Sequence, residues 1–95
     1  MTERKIALIT GGSRGIGLAC AKELAKAGCD IIINDICDAE KAQPALDEIK
    51  ALGVNAYFYS FDVSNYDAVK ENVDKMIAEH GKIDILLNNA GITRD

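Results

Sequence analysis

The sequence predicts an α/β fold: a doubly wound parallel sheet built as β-α-β-α-β-α-β, with strand order 3-2-1-4. Three observations predict it. Four short apolar runs are spaced along the chain, nearly continuous rather than alternating, as in strands covered by helices on both faces. Stretches of helical periodicity separate the runs. A glycine-rich turn joins the first run to the first helix. Right-handed crossovers between parallel strands then set the order.

The first strand covers Ile6 to Ile9 and ends at Thr10-Gly11-Gly12. A helix follows from about Gly15 to Ala27, with Ile16, Cys20, Leu24 and Ala27 on one face and Gly28 closing it. The second strand is Ile31-Ile32-Ile33, ending at Asn34-Asp35. Asp38 suits the N-cap of the next helix, whose apolar stripe is Leu46, Ile49 and Leu52, with Gly53 as its stop. Proline is costly inside a helix and tolerated in the first turn, so the regular helix is expected to begin near Pro44, after a looser turn. Tyr57 to Phe61 forms the third strand. Ser64 is expected to cap a third helix, with Val69, Val73, Met76 or Ile77, and His80 on its inner face and Gly81 at its end. Ile83 to Leu87 forms the fourth strand and runs into Asn88-Asn89-Ala90-Gly91.

Composition narrows the function classes. The 95 residues allow one domain, and a hydrophobic fraction of 48% with 27% charged residues excludes a disordered or fibrous chain. Fifteen acids against eleven bases give a net charge of −4, and no Lys/Arg cluster stands out, so nucleic acid is not an expected partner. An acidic chain still binds anions where backbone N–H groups do the binding. Cys20, Cys29 and Cys37 are odd in number and contain no C-x-x-C pair, which fits free thiols in a reducing cytosol and not a zinc site or disulfide framework. The N-terminal apolar run is too short for a signal peptide or membrane span, so a soluble cytoplasmic protein with no membrane partner is expected.

The motif Thr10-Gly11-Gly12-Ser13-Arg14-Gly15-Ile16-Gly17 lies between strand and helix. Glycine allows a tight turn and close approach of a ligand, and the helix N-terminus beyond it favours a pyrophosphate. A tight connection alone would also use glycines, but three in this register fit a dinucleotide site. Asp35, at the end of the second strand, can accept hydrogen bonds from the adenosine ribose hydroxyls or serve as a solvated turn aspartate. Read as a ribose acceptor, it selects NAD, because its charge repels the extra phosphate of NADP.

The spacing T-G-x-x-x-G-x-G, with Asn88-Asn89-Ala90-Gly91 at the end of the fourth strand, resembles the short-chain dehydrogenase/reductase family over the whole chain. That resemblance implies a Rossmann-type sheet in which residues 1–95 are the N-terminal, dinucleotide-binding part of a single domain. Gly11, Ser13, Arg14, Gly15, Ile16, Gly17, Asp35, Asp62, Val63, Asn89, Ala90 and Gly91 would line the cofactor, with Asp62-Val63 flanking the adenine or forming only a polar turn. Within the family a basic residue at the position of Arg14 points toward NADP, against the NAD preference expected from Asp35. The implied parent is a homo-oligomeric oxidoreductase moving a hydride between nicotinamide and a carbonyl or secondary alcohol. The tail through Asp95 is similar to the branch that reduces 3-oxoacyl thioesters, and sugar and polyol dehydrogenases share the pattern.

The family's catalytic tyrosine, lysine and serine follow the second signature, beyond Asp95, so no catalytic residue is assigned here and the 95 residues alone are not expected to catalyse. Tyr66 and Lys70 spell Y-x-x-x-K, but on the third helix, before that signature; His80 reads as structural. A non-catalytic nucleotide-binding module is the alternative, and a methyltransferase-type site is a third reading that the glycine spacing disfavours. With its fourth strand unpaired on one side, the isolated chain is expected to be marginally stable or to associate.

Overall fold

Ile31, Ile32 and Ile33 are β-branched, which stiffens the side chain and favours extended backbone, and all three are fully buried. In the computed structural model, which describes residues 4–89, they form the centre of β2 (Asp30–Asp35). This strand lies between β1 (Ile6–Thr10) and β3 (Ala56–Ser60), and β4 (Ile85–Asn88) pairs with the other side of β1. Every pairing is parallel and the order is β3-β2-β1-β4, as the sequence predicts. The crossovers are α1 (Gly15–Lys26), α2 (Ala39–Lys50) and α3 (Tyr66–His80).

Successive strand residues point to opposite faces, so the sheet carries two cores. Ala7, Ile9, Ile31 and Ile33 pack with Ala21, Ala25, Ala45, Leu46 and Ile49, beneath α1 and α2. Ile6, Leu8 and Ile32 pack with Met76 and Phe61, beneath α3. Full burial of one isoleucine contributes about 1.5–3 kcal/mol, so the two central strands supply much of the apolar stabilisation. The outer strands depart from the expected two-sided burial. β3 and β4 are edges among the described residues, and Tyr57 is 37% and Leu86 62% exposed. Among the described residues no helix is long and apolar enough to cross a membrane.

Several local expectations are corrected. The inner face of α1 is Gly17, Ala21 and Ala25, while Ile16 is 68% exposed, Cys20 and Leu24 are half-buried, and Ala27 is the exposed C-cap. The helix lies so close to the turn below it that only small residues fit underneath. α2 begins at Ala39, well before Pro44, because the Asp38 carboxylate accepts the Lys41 N–H at 3.1 Å and starts the helix there. Pro44 sits on the exposed side, where the carbonyl of Glu40 that it cannot serve can turn to water. Leu52 falls past the helix end and is exposed. The cap of α3 is Asn65, accepting the Ala68 N–H at 3.1 Å, because Ser64 is engaged by Asp62 through both its N–H and its hydroxyl. Met76, not Ile77, is the buried residue of that helix.

Both outer strands are offset from their expected limits. β3 stops at Ser60 because the Phe61 carbonyl accepts from the Asn34 side chain at 2.9 Å. β4 starts at Ile85 because the Asp84 carboxylate, at 2.9 Å, takes the Ile6 N–H in place of a backbone carbonyl.

His80 closes α3 against β3. Its Nε2 lies 3.1 Å from the Tyr59 hydroxyl, and its ring centroid is 4.4 Å from that of Tyr57. The Tyr59 hydroxyl donates to the Glu79 carboxylate. Partial burial, and then Glu79 beside it, push the Tyr59 phenol from 10.0 up to about 12.

Two outcomes follow from these features. Replacing Pro44 with alanine restores a helix N–H at an exposed site and should stabilise the chain to urea by about 1–3 kcal/mol; an unchanged or lower midpoint would show that Pro44 is not a defect. Because the folded pKa of Tyr59 is raised, its contribution is complete below pH 10 and is lost as pH rises through about 12. Urea midpoints should therefore fall between about pH 10 and about pH 12, and Tyr59→Phe should flatten that decline. An identical decline in the variant would contradict the assignment.

Candidate functional site

The site is built where β1 and β4 end. Gly11 and Gly15 adopt φ of +66° and +60°, values that residues with a Cβ rarely hold, and the chain folds back so that α1 starts directly above the turn. A Cβ on Gly17 would stand 2.1 Å from the Gly11 carbonyl oxygen and 2.8 Å from Asn89 Nδ2, so a side chain there is excluded. Asn89 Nδ2 donates to the Gly11 carbonyl at 3.3 Å, and the Asn89 N–H donates to Thr10 Oγ1 at 2.8 Å. The Thr10 hydroxyl donates to Asn88 Oδ1 at 3.1 Å. The two sequence signatures are thereby joined into one structure.

α1 starts differently from the other helices. Asp38 and Asn65 cap α2 and α3, and each of those helices carries an acid in its first turn. α1 has Arg14 at its N-cap, no capping side chain, and no acid in its first turn. Its positive dipole end therefore faces a cavity without a carboxylate of its own to neutralise it.

That cavity, of about 680 Å³, is bounded by Gly11, Arg14, Gly15 and Ile16 on the helix side, by Asn34, Asp35 and Ile36 at the end of β2, by Phe61, Asp62 and Val63 after β3, and by Asn89. Eight residues expected at the site thus converge on it: Gly11, Arg14, Gly15, Ile16, Asp35, Asp62, Val63 and Asn89. Ser13 lies instead in an adjoining cavity of about 350 Å³, with Arg14, Asp35, Ile36, Cys37 and Lys41. Gly17 is buried under the turn, and Ala90 and Gly91 fall outside the described residues. Tyr66, 75% exposed at the start of α3, is not part of either wall.

Asn34 was not anticipated. It is buried, lines the larger cavity, and donates through Nδ2 to the carbonyls of Tyr59 at 3.2 Å and Phe61 at 2.9 Å. It clasps the end of β2 to the start of the Asp62-Val63 wall. A polar residue closing a run of buried isoleucines was the available signal. Ile36, 73% exposed, and Phe61 also line the cavity, and neither carries a sequence signal for it.

The two carboxylates at the cavity differ in their engagement. Asp35 Oδ1 accepts the Ile36 N–H at 3.0 Å, and Oδ2 accepts the Ser13 hydroxyl at 2.5 Å and the Ser13 N–H at 3.4 Å. Asp62 Oδ1 accepts the N–H and hydroxyl of Ser64, and these bonds hold its carboxyl below the usual range. Asp62 is therefore both a turn residue and a wall residue. Cys20, Cys29 and Cys37 are free thiols, and among the described residues no group of three or more His, Cys, Asp or Glu side chains could hold a metal ion.

Comparison with known proteins bears on this arrangement. A family model described as short chain dehydrogenase matches residues 5–95. The 3-oxoacyl-[acyl-carrier-protein] reductase FabG of Staphylococcus aureus is 42% identical over 95 residues, covering 100% of this chain and 39% of that protein. A crystal structure of a short-chain dehydrogenase/reductase from Sinorhizobium meliloti 1021 superposes with a TM-score of 0.90 at 42% identity, over 98% of this chain and 42% of the other. A metagenomic short-chain oxidoreductase in complex with NADP gives 0.86 at 38% identity, over 93% of this chain and 39% of the other. NAD+-bound xylitol dehydrogenase gives 0.84 at 40% identity, over 90% of this chain and 33% of the other.

Gly17→Ala should lower stability to urea by about 2–3 kcal/mol, the upper part of the range for overpacking, because the nearest atom its Cβ meets, at 2.1 Å, is the Gly11 main-chain oxygen, which cannot swing aside as the Asn89 side chain can. A variant as stable as the parent would show that α1 can lift away from the turn.

Proposed function

Because the chain belongs to the short-chain dehydrogenase family, we propose that it is the cofactor-binding portion of an NAD(H)-dependent oxidoreductase. One observation carries this reading. The uncapped first turn of α1, drawn tightly over the Gly11 turn, borders the same cavity as Asp35. Such an opening offers backbone donors to a pyrophosphate at one side and a carboxylate to a ribose diol at the other. Asn34, Phe61, Asp62 and Val63 would receive the adenine. Gly11, Ser13, Arg14, Gly15, Ile16, Gly17, Asp35, Asp62, Val63, Asn89, Ala90 and Gly91 are proposed as the residues that form the site.

The chain spans about 39% of the length of the curated relative from Staphylococcus aureus. The reaction is therefore assigned to a longer parent, for which these residues bind and orient the cofactor while proton transfer falls to residues outside the chain. The cofactor, when bound, supplies or accepts the hydride at a carbonyl or secondary alcohol. A 3-oxoacyl thioester is the favoured substrate, supported by the similarity to the reductase from Staphylococcus aureus. The 40% identity to xylitol dehydrogenase supports a polyol as the second reading. Asp35 supports NAD over NADP, and the neighbouring Arg14 is the feature that would admit NADP.

Titration of the purified chain with NADH and NADPH, followed by nicotinamide fluorescence, tests the proposal. Saturable binding that favours NADH is expected, with Asp35→Asn weakening NADH and narrowing the difference. Absence of saturable binding by either dinucleotide, or competition by S-adenosylmethionine instead, would overturn it.

A further inference from the structure

Asp35 lines both cavities, as do Arg14 and Ile36. On the smaller side lie two cationic residues, Arg14 and Lys41, and two small polar ones, Ser13 and Cys37. A phosphate on the adenosine ribose would be drawn to such a pair of cations, and a carboxylate lining the same cavity opposes it. The position of the Asp35 carboxylate therefore decides which ribose the site accepts, and that position is set from outside β2. Among the described residues, Oδ1 is tied only to the neighbouring Ile36 N–H. Oδ2 accepts from Ser13 twice, through the hydroxyl and through the N–H at 3.4 Å. Ser13 belongs to the glycine turn, so a single side chain links the pyrophosphate end of the cavity to the ribose end.

We propose that Ser13 is the positioning residue that sets the cofactor preference of this site, acting through Asp35. The inference rests on the dinucleotide-binding reading. An ionised carboxylate offers about four acceptor positions, so Asp35 can keep its bonds to Ser13 and Ile36 and still accept from a ribose diol. Without the Ser13 hydroxyl, the carboxylate is released to turn toward Arg14, Lys41 or water. NADH then loses an aligned acceptor, and NADPH loses the charge that opposed its phosphate.

The test compares the unaltered chain with Ser13→Ala and Ser13→Thr, each titrated with NADH and with NADPH and checked by far-ultraviolet circular dichroism. The NADH-to-NADPH affinity ratio is expected to fall about tenfold in Ser13→Ala, the size of one hydrogen bond to a charged group, and to be kept in Ser13→Thr, which retains the hydroxyl. An equal loss for both cofactors in Ser13→Ala, which a purely structural role would give, overturns the inference. So does an unchanged ratio, or a ratio that collapses in a folded Ser13→Thr. If the unaltered chain binds neither dinucleotide, or shows no preference for NADH, the underlying reading fails first, and the result is distinct from any that faults Ser13 alone.

Discussion

The approach of α1 to the Gly11 turn is the contact on which the rest of the site depends. At Gly17 the helix leaves no space for a single carbon atom, since a Cβ would overlap the Gly11 carbonyl oxygen. The same carbonyl accepts from Asn89 at the end of β4, and Asn89 in turn donates its N–H to Thr10. Helix, turn and outer strand are therefore fixed to one another by glycine geometry and three hydrogen bonds, counting that between Thr10 and Asn88. Loosening any of them would move the first turn of α1 away from the cavity it borders.

The opposite side is fixed by a different device. Parallel strands end on the same side of the sheet, and ligands of open α/β sheets bind beyond those carboxyl ends. Asn34 closes the gap between β2 and the segment after β3 by donating to two main-chain carbonyls, those of Tyr59 and Phe61. This buried amide sets the spacing between Asp35 and the Asp62-Val63 wall. The positive end of α1 is made of backbone, and the two carboxylates that border the same cavity are both engaged by hydrogen bonds, Asp35 by Ser13 and Ile36 and Asp62 by Ser64.

Much of this was legible in the residues. Strand order and helix placement follow from the apolar runs and the handedness of crossovers, and the glycine spacing with Asn88-Asn89 marked both halves of the site. The failures share a cause. A stripe of larger apolar residues, Ile16 to Ala27, suggested the inner face of α1, but distance to the sheet decided it and selected Gly17, Ala21 and Ala25. Pro44 suggested a late start for α2, but the Asp38 cap outweighed it at an exposed position. Ser64 is a good capping residue in isolation, yet Asp62 engages it first and Asn65 takes the role. Asn34 was passed over because only the fold brings the carbonyls of Tyr59 and Phe61 within its reach. Periodicity records what each residue prefers; these outcomes depended on which neighbour arrived.

The Gly11 turn, the first turn of α1 and Asn89 are proposed to act as one dinucleotide-binding unit. Amide chemical-shift mapping of the labelled chain during titration with NADH tests it most directly. Saturable shifts concentrated at Gly11, Gly15, Ile16, Gly17, Asp35 and Asn89 are expected, all following one binding curve. Shifts confined to other faces of the sheet, or independent curves for the turn and for Asn89, would contradict it.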